Sequence, residues 1–247
     1  GVRIFCAVHG FNVSTWGGAA IYMSSDNGAT YKQVANTAQA STVGYVEAMT
    51  PYAAPHVWDT TTEITVKVVS GSLISQSEIA VLNGANRCLI GQEMVGFCNA
   101  TLIAENTYKI SKLLRGRQGT EQYIGLHAEN ELFVMLDKLV RIDFADADRG
   151  TTKLFKVVSI GADLSSVSGK AVQIMSNNTR MWTVHTPTYQ LVGSSWKIFW
   201  QERVRFDNQL KDFSATNHDP DWGGYGIAVL NPLDDSVVRT ATTTSTN

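Results

Sequence analysis

The chain is poor in the residues that anchor several familiar chemistries. It has three cysteines in 247 residues, Cys6, Cys88 and Cys98, too few and too scattered for a disulfide framework. Cys88 and Cys98 could pair across a hairpin, but the preferred reading is two buried thiols. Charged residues make up only 17% of the chain, and 20 basic against 22 acidic residues leave a net charge of −2. A general nucleic-acid binder should show a basic excess, so none is expected as a partner. No apolar run approaches the ~20 residues of a membrane-spanning helix, and membrane insertion is not expected. No signal peptide is expected. The chain opens at Gly1 without methionine and runs at once into the apolar "VRIFCAV", which reads as an internal piece of a longer protein.

Metal and catalytic spacings are scarce too. His9, His56, His127, His185 and His218 never lie three or four residues from one another, and no Cys-x-x-Cys is present, so no zinc site is expected. No G-x-S-x-G elbow anchors a hydrolase triad. Asp219 and Asp221 flank Pro220 in "NHDPDWGG" and raise calcium as a candidate, but a proline between them more often marks a turn. "DFADADRG", with Asp143, Asp146 and Asp148, lacks the spacing and final glutamate of an EF-hand loop and reads as a solvated turn. Neither a metal nor a cofactor is expected.

What the chain does have is strand pattern. "TEITVKVVS" places Ile64, Val66 and Val68 on one face and Thr65 and Lys67 on the other. Similar short runs rich in Val, Ile, Phe and Trp recur, bounded by Gly, Asn, Asp and Ser. The expected fold class is all-β, built of β-sandwich-like modules. One short helix is expected in "SQSEIAVLNG", capped by Ser75 with Glu78 and stopped at Asn83-Gly84. The expected domains are 1–186, with a hairpin subdomain at about 85–137, and 187–247. In the latter, Trp196, Ile198 and Trp200 share a face, and a later strand carries Tyr225. That pattern suits a fibronectin-type-III-like module, although about sixty residues is short for one.

Three local features bear on function. "SSDNGATY" fits S-x-D-x-G-x-T plus an aromatic, the Asp-box of sialidases and related propellers; a single copy reads as a structural turn held by Asp26, Gly28 and Thr30. Trp16, Trp58 and Trp222 lie in loop-like contexts, where such rings either stack on sugars or plug the ends of a sandwich. "LLRGRQGT", residues 113–120, has two arginines and two glycines, which suggests either a phosphate loop or a tight turn. The Walker spacing and its lysine are missing, so Arg115, Gly116, Gly119 and Thr120 are expected to form a structural turn. Arg115 would bond loop carbonyls or a carboxylate such as Glu121, and Arg117 would be solvated.

Taken in order, "STWGGAAIYMSSDNGATY", "GSLISQSEIAVLNGANRCLIGQEMVGFCNATL", "YKISKLLRGRQGTEQ" and "ELFVMLD" resemble the phage tail-tip (baseplate hub) proteins of long-tailed bacteriophages and gene transfer agents. Trp16, Gly17, Gly18, Tyr31, Asn86, Glu93, Phe97, Ala100, Tyr108 and the Leu113–Thr120 stretch stand where that family's pattern places them. The resemblance covers residues 10–140 well and the rest loosely. In "WQERVRF", Glu202 stands where the family pattern has arginine. The resemblance implies a structural, non-catalytic virion component at the tail tip that aids tail assembly and attachment to a bacterial cell. Its implied partners are other tail proteins, a bacterial surface polysaccharide or receptor, and further copies of itself. Two other classes stay open: a cell-surface glycan-binding module, and a glycoside hydrolase, which would need two carboxylates about 5–10 Å apart across a cleft.

Overall fold

The computed structural model describes residues 2–10, 15–48, 50–55, 57–175, 184–201, 203, 222–234 and 236–244. The fold is all-β, as the strand pattern requires. The strands are β1 (Val2–Cys6), β2 (Ala19–Ser24), β3 (Lys32–Thr37), β4 (Val43–Val46), β5 (Trp58–Ser70), β6 (Arg87–Ile90), β7 (Glu93–Ala104), β8 (Thr107–Leu114), β9 (Leu132–Met135), β10 (Val140–Phe144), β11 (Thr152–Ser159), β12 (Lys170–Gln173), β13 (His185–Val192), β14 (Ser195–Gln201), β15 (Tyr225–Leu230) and β16 (Val237–Thr243). A single α-helix, α1 (Glu78–Leu82), lies between β5 and β6 among the described residues. Among those residues, no helix is long and apolar enough to cross a membrane.

Contacts divide the chain into two units, Gly1–Thr179 and Arg180–Asn247. Within the first unit, the antiparallel β1–β10 pair and the four-stranded sheet β12-β11-β2-β3 share one apolar core. Val2, Ile21, Ile142, Phe155 and Ile174 fill it, so these two sheets make a sandwich-like pair of layers. Between β3 and β10 the chain departs to build a second structure. Strands β4-β5-β8-β7-β6-β9 close into a barrel. Closure leaves no open sheet edge, so every strand is hydrogen-bonded on both sides without help from another chain.

Alternation fills the barrel. Ile64, Val66 and Val68 of β5 point inward with Ile90, Val95, Phe97, Ile110, Leu113 and Phe133 from its neighbours. Burying a side chain such as Phe97 contributes about 1.5–3 kcal/mol, so this cluster dominates the stability of the barrel. Cys88 lies within the cluster and Cys98 outside it under α1, both as free thiols. Burial raises the pKa of both.

β7 and β8 form a long hairpin that turns at Glu105-Asn106, and Asn106 takes the left-handed conformation (φ 54°) that Asn tolerates. The expected helix is present, but its cap differs. Ser77, immediately before the first helical residue, accepts from the Ala80 N–H at 3.2 Å. Glu78 is therefore the first helical residue, too early to close a capping box, and it pairs with Lys112 of β8. Ser75 instead straps the segment to β7, its Oγ accepting from the Ala100 N–H at 3.0 Å.

The second unit contributes two antiparallel ribbons, β13–β14 and β15–β16. Trp200 is buried against Tyr225, ring centroids 5.1 Å apart and edge to face. Residues 204–221, which the fibronectin-type-III-like expectation needs, lie outside the described residues, as do Glu202, Asp219 and Asp221.

Candidate functional site

Among the described residues, the densest concentration of charge under the surface lies at one end of the barrel. The antiparallel ladder puts the end of β8 between the beginnings of β5 and β7: Leu114 pairs with Trp58 on one side and Gly96 on the other. Arg115, the next residue, is therefore delivered to the place where Asp59 and Glu93 begin their strands. Its side chain is fully buried, as is that of Glu93.

A buried guanidinium must satisfy its donors or lose several kcal/mol. Arg115 does so chiefly through Glu93. Its Nε donates to Oε1 and its Nη2 to Oε2, both at 2.8 Å, forming a two-pronged pair. Nη1 donates to the Pro51 carbonyl at 3.3 Å and faces Asp59 Oδ2 at 3.8 Å. Glu93 receives two more bonds, from the Gly116 N–H at 2.7 Å and from His127 Nε2 at 2.6 Å. Each carboxylate oxygen of Glu93 thus accepts twice, and the group has no free lone-pair direction.

His127 extends the chain of contacts. Its Nδ1 lies 2.5 Å from Glu131 Oε2. Glu131 precedes β9, and its carboxylate rests over Gly91, where an added Cβ would stand 1.8 Å from Oε1. Gly91 is therefore required both by its φ of 54° and by the space that Glu131 fills.

Electrostatics follow from these contacts. Burial pushes the Glu93 carboxyl upward, but hydrogen bonds from His127, Arg115 and Gly116 outweigh it and hold the group below the usual carboxylate range. Burial likewise opposes charge on His127, yet the bonds to Glu93 and Glu131 prevail and raise it above the ordinary imidazole value. Burial also acts against ionised Asp59, but its bonds from Thr62 and Thr61 keep its pKa low.

Arg115 and Gly116 belong to the turn singled out in the sequence, and its remaining residues act through the backbone. Gly116 and Gly119 have φ of 58° and 83°. The Arg117 N–H donates to the Met94 carbonyl at 2.8 Å. Thr120 Oγ1 accepts from the Met94 N–H at 3.0 Å and donates to the Arg117 carbonyl at 2.8 Å. Ile124 folds back over Gly116, where a Cβ would meet it at 2.7 Å. The carboxylate that Arg115 grips is Glu93 rather than Glu121, because β7 runs beside β8 and brings its first residue level with the turn.

Chemically, this is a clamp. Its carboxylates approach His127 from opposite ring nitrogens and do not converge on a common point. Among the described residues, no group of three His, Cys, Asp or Glu side chains is arranged to hold a metal ion.

The second turn is built differently. Asp26 accepts from the Thr30 N–H at 2.9 Å and from its hydroxyl at 2.5 Å, while Ser24 Oγ accepts from the Gly28 N–H at 2.8 Å. Gly28 has φ 94°. The Asp26 carboxyl is held below its ordinary range mainly by Thr30.

Each of the three tryptophans has its own surroundings. Trp16 is half-buried against the sandwich core. Trp58 packs beside Val81, Cys98 and Leu114, with the Lys112 ammonium 5.8 Å from its ring centroid. Trp222 stacks edge to face on Tyr225 at 5.6 Å. Trp16 and Trp58 pack into different clusters of the first unit, and Trp222 belongs to the second.

Nothing in the local sequence pattern marks Asp59, His127 or Glu131 as members of one site, and Glu93 stands out only as a position of the family pattern. The one available cue was the four-residue spacing of His127 and Glu131, a pairing that a search among histidines and cysteines passes over.

The family described as Rcc01698-like, C-terminal, matches residues 41–134. That span coincides with the barrel, Val43 to Met135. A comparison with curated proteins returned no match.

Proposed function

We propose that the chain is a structural and adhesive module of the tail tip of a bacteriophage or gene transfer agent, part of the virion, where it contributes to tail assembly and host-cell attachment. The observation that carries this reading is the coincidence of the matched segment with a closed barrel whose most buried charged groups are spent on one another. The matched family is named for a gene-transfer-agent-associated protein of Rhodobacter capsulatus. The ordered motifs from Trp16 to Thr120 point the same way. On this reading the chain is not an enzyme, and its partners are other tail proteins and further copies of itself within the virion.

The test is immunoelectron microscopy of purified particles with antibodies raised against the first unit. Label confined to the tail tip is the expected result; particles that carry the protein nowhere would overturn the reading.

Attachment through a surface polysaccharide is a second reading with one observation in its favour. Tyr189 and Trp196, on β13 and β14, form an edge-to-face pair at 5.5 Å with 75% and 65% of their surfaces exposed. Flat, apolar ring faces of this kind stack on sugars. Binding on a glycan array that Trp196→Ala abolishes supports it; binding unchanged by that substitution removes Trp196 from the site.

A further inference from the structure

The His127 bridge joins two carboxylates through one imidazole, which sets a requirement on protons. A neutral imidazole carries one N–H and one lone pair. Nε2 lies 2.6 Å from Glu93 Oε2 and Nδ1 lies 2.5 Å from Glu131 Oε2. Glu93 is ionised against Arg115 and accepts at both oxygens. Both short contacts are attractive only if an extra proton resides on the His127–Glu131 pair, as imidazolium or as a shared proton. Without it, a lone pair of the ring faces a carboxylate oxygen at 2.5 Å.

The surrounding groups do not remove that demand. Glu93 from β7 and Glu131 from the segment before β9 touch the ring. Behind Glu93 stand Arg115 at the end of β8 and Asp59 of β5, 3.8 Å apart. The Cys88 thiol of β6 feels both Glu93 and Arg115, and burial keeps it protonated. With His127 charged, two cations meet three carboxylates; with it neutral, only Arg115 does.

The ring fastens the far end of a long connection. Residues 116–131 leave β8, pack Ile124 over Gly116 and seat Gly125 against Tyr52 before returning to β9. His127 is the buried polar anchor near the end of that excursion.

We propose that His127 and Glu131 form a proton-dependent latch that holds the 116–131 connection onto the barrel end and releases it as the medium becomes alkaline, while the barrel itself stays folded. The barrel is independent of the latch because its core residues, such as Phe97, Ile110 and Phe133, make their contacts inside the closed sheet. The proposal rests on the bridge geometry and holds whatever the chain assembles with.

The direction with pH follows from the raised imidazole. Its stabilisation is complete below the unfolded value of ~6.5 and is lost as pH rises through the higher folded value. Between those two values the closed form holds one more proton than the open form, so the closed-to-open ratio falls by about tenfold per pH unit, and above the folded value it levels off.

The test is amide hydrogen exchange on the whole chain from pH 6 to pH 10, corrected for the intrinsic rate. Protection of residues 120–130 should fall by about tenfold per pH unit above pH ~6.5 and level off once His127 has lost its proton in the closed form as well, while the amides of β8 and those of β7 beyond Met94 keep theirs. Glu131→Gln should keep the connection protected across the range, because the amide donates an N–H to the bare Nδ1. Constant loop protection in the unaltered chain, loss of loop and barrel protection together, or a Glu131→Gln variant that opens like the unaltered chain would each overturn the proposal. If Glu131→Gln does not fold, the unaltered chain decides alone.

Discussion

Two turns of the first unit, Ser24–Tyr31 and Arg115–Thr120, use similar residues to opposite ends. The first is exposed at its tip, and its side-chain hydrogen bonds stay within the turn, although Ser24 itself is buried. Asp26, Ser24 and Thr30 bond within four residues of one another, and Gly28 supplies the positive φ. The second is a terminus for distant contacts. Arg115 reaches Glu93, 22 residues away, and Pro51, 64 residues away, while Glu93 in turn reaches His127, 34 residues on. One turn completes a hairpin; the other ties the ends of three barrel strands together. Short spacing of polar residues thus says that a turn exists, and burial decides how much of the fold depends on it.

The sharpest way to break this contrast is to remove a partner from the buried pair. Glu93→Gln leaves a guanidinium in the interior without its counter-charge, and such losses cost about 3–5 kcal/mol. Urea unfolding should show a correspondingly lower midpoint, and Arg115→Ala should do nearly as much. Next comes Gly116→Val. A Cβ at φ 58° costs about 1–2 kcal/mol on its own. It would also press against Ile124 and the Glu121 backbone, so the measured loss should exceed that figure.

Asp26→Ala should cost less than either, because the carboxylate it removes is fully exposed. Its effect should be confined to the 24–31 hairpin, seen as faster exchange of the Thr30 amide with little change in thermal midpoint. The acid dependence separates the turns further. Both carboxyls are depressed, Asp26 chiefly by Thr30 and Glu93 by His127 and Arg115 against its burial. Each therefore stabilises the fold above its unfolded value, ~3.9 for Asp and ~4.3 for Glu, and loses that contribution as pH falls through the lower folded value. Glu93→Gln should flatten the acid limb of the stability curve; Asp26→Ala should leave it nearly unchanged. The smallest effect belongs to Arg117→Ala, within about 0.5 kcal/mol, since residue 117 acts through its main-chain N–H.

The legible part of the fold was the part written in local pattern. Alternation in β5 and the helix stop at Asn83-Gly84 both depend on neighbours a few residues apart. The helix cap was misplaced by two residues because Ser75 and Ser77 both precede the apolar run, and only the strand beside them decides which one faces the helix. Barrel closure was not legible, because it depends on β9 pairing with both β4 and β6. Nor was the clamp. Its members Asp59, Glu93, Arg115, His127 and Glu131 are spread over more than seventy positions, and ordinary spacing rules do not reach that far. Trp16 and Trp58 were ambiguous for a related reason: glycine and aspartate neighbours suggest loops, while the side chains turn toward apolar clusters.

The central claim is that Arg115 and Glu93 act as one unit, and a double-mutant cycle tests it most directly. Glu93→Gln, Arg115→Met and the double variant would be unfolded in urea at pH 6, where the His127 bridge is also intact. The account predicts strong coupling, with the double variant losing about 2 kcal/mol less than the sum of the single losses, because removing both charges leaves neither one stranded. Losses that add to within about 0.5 kcal/mol would contradict it.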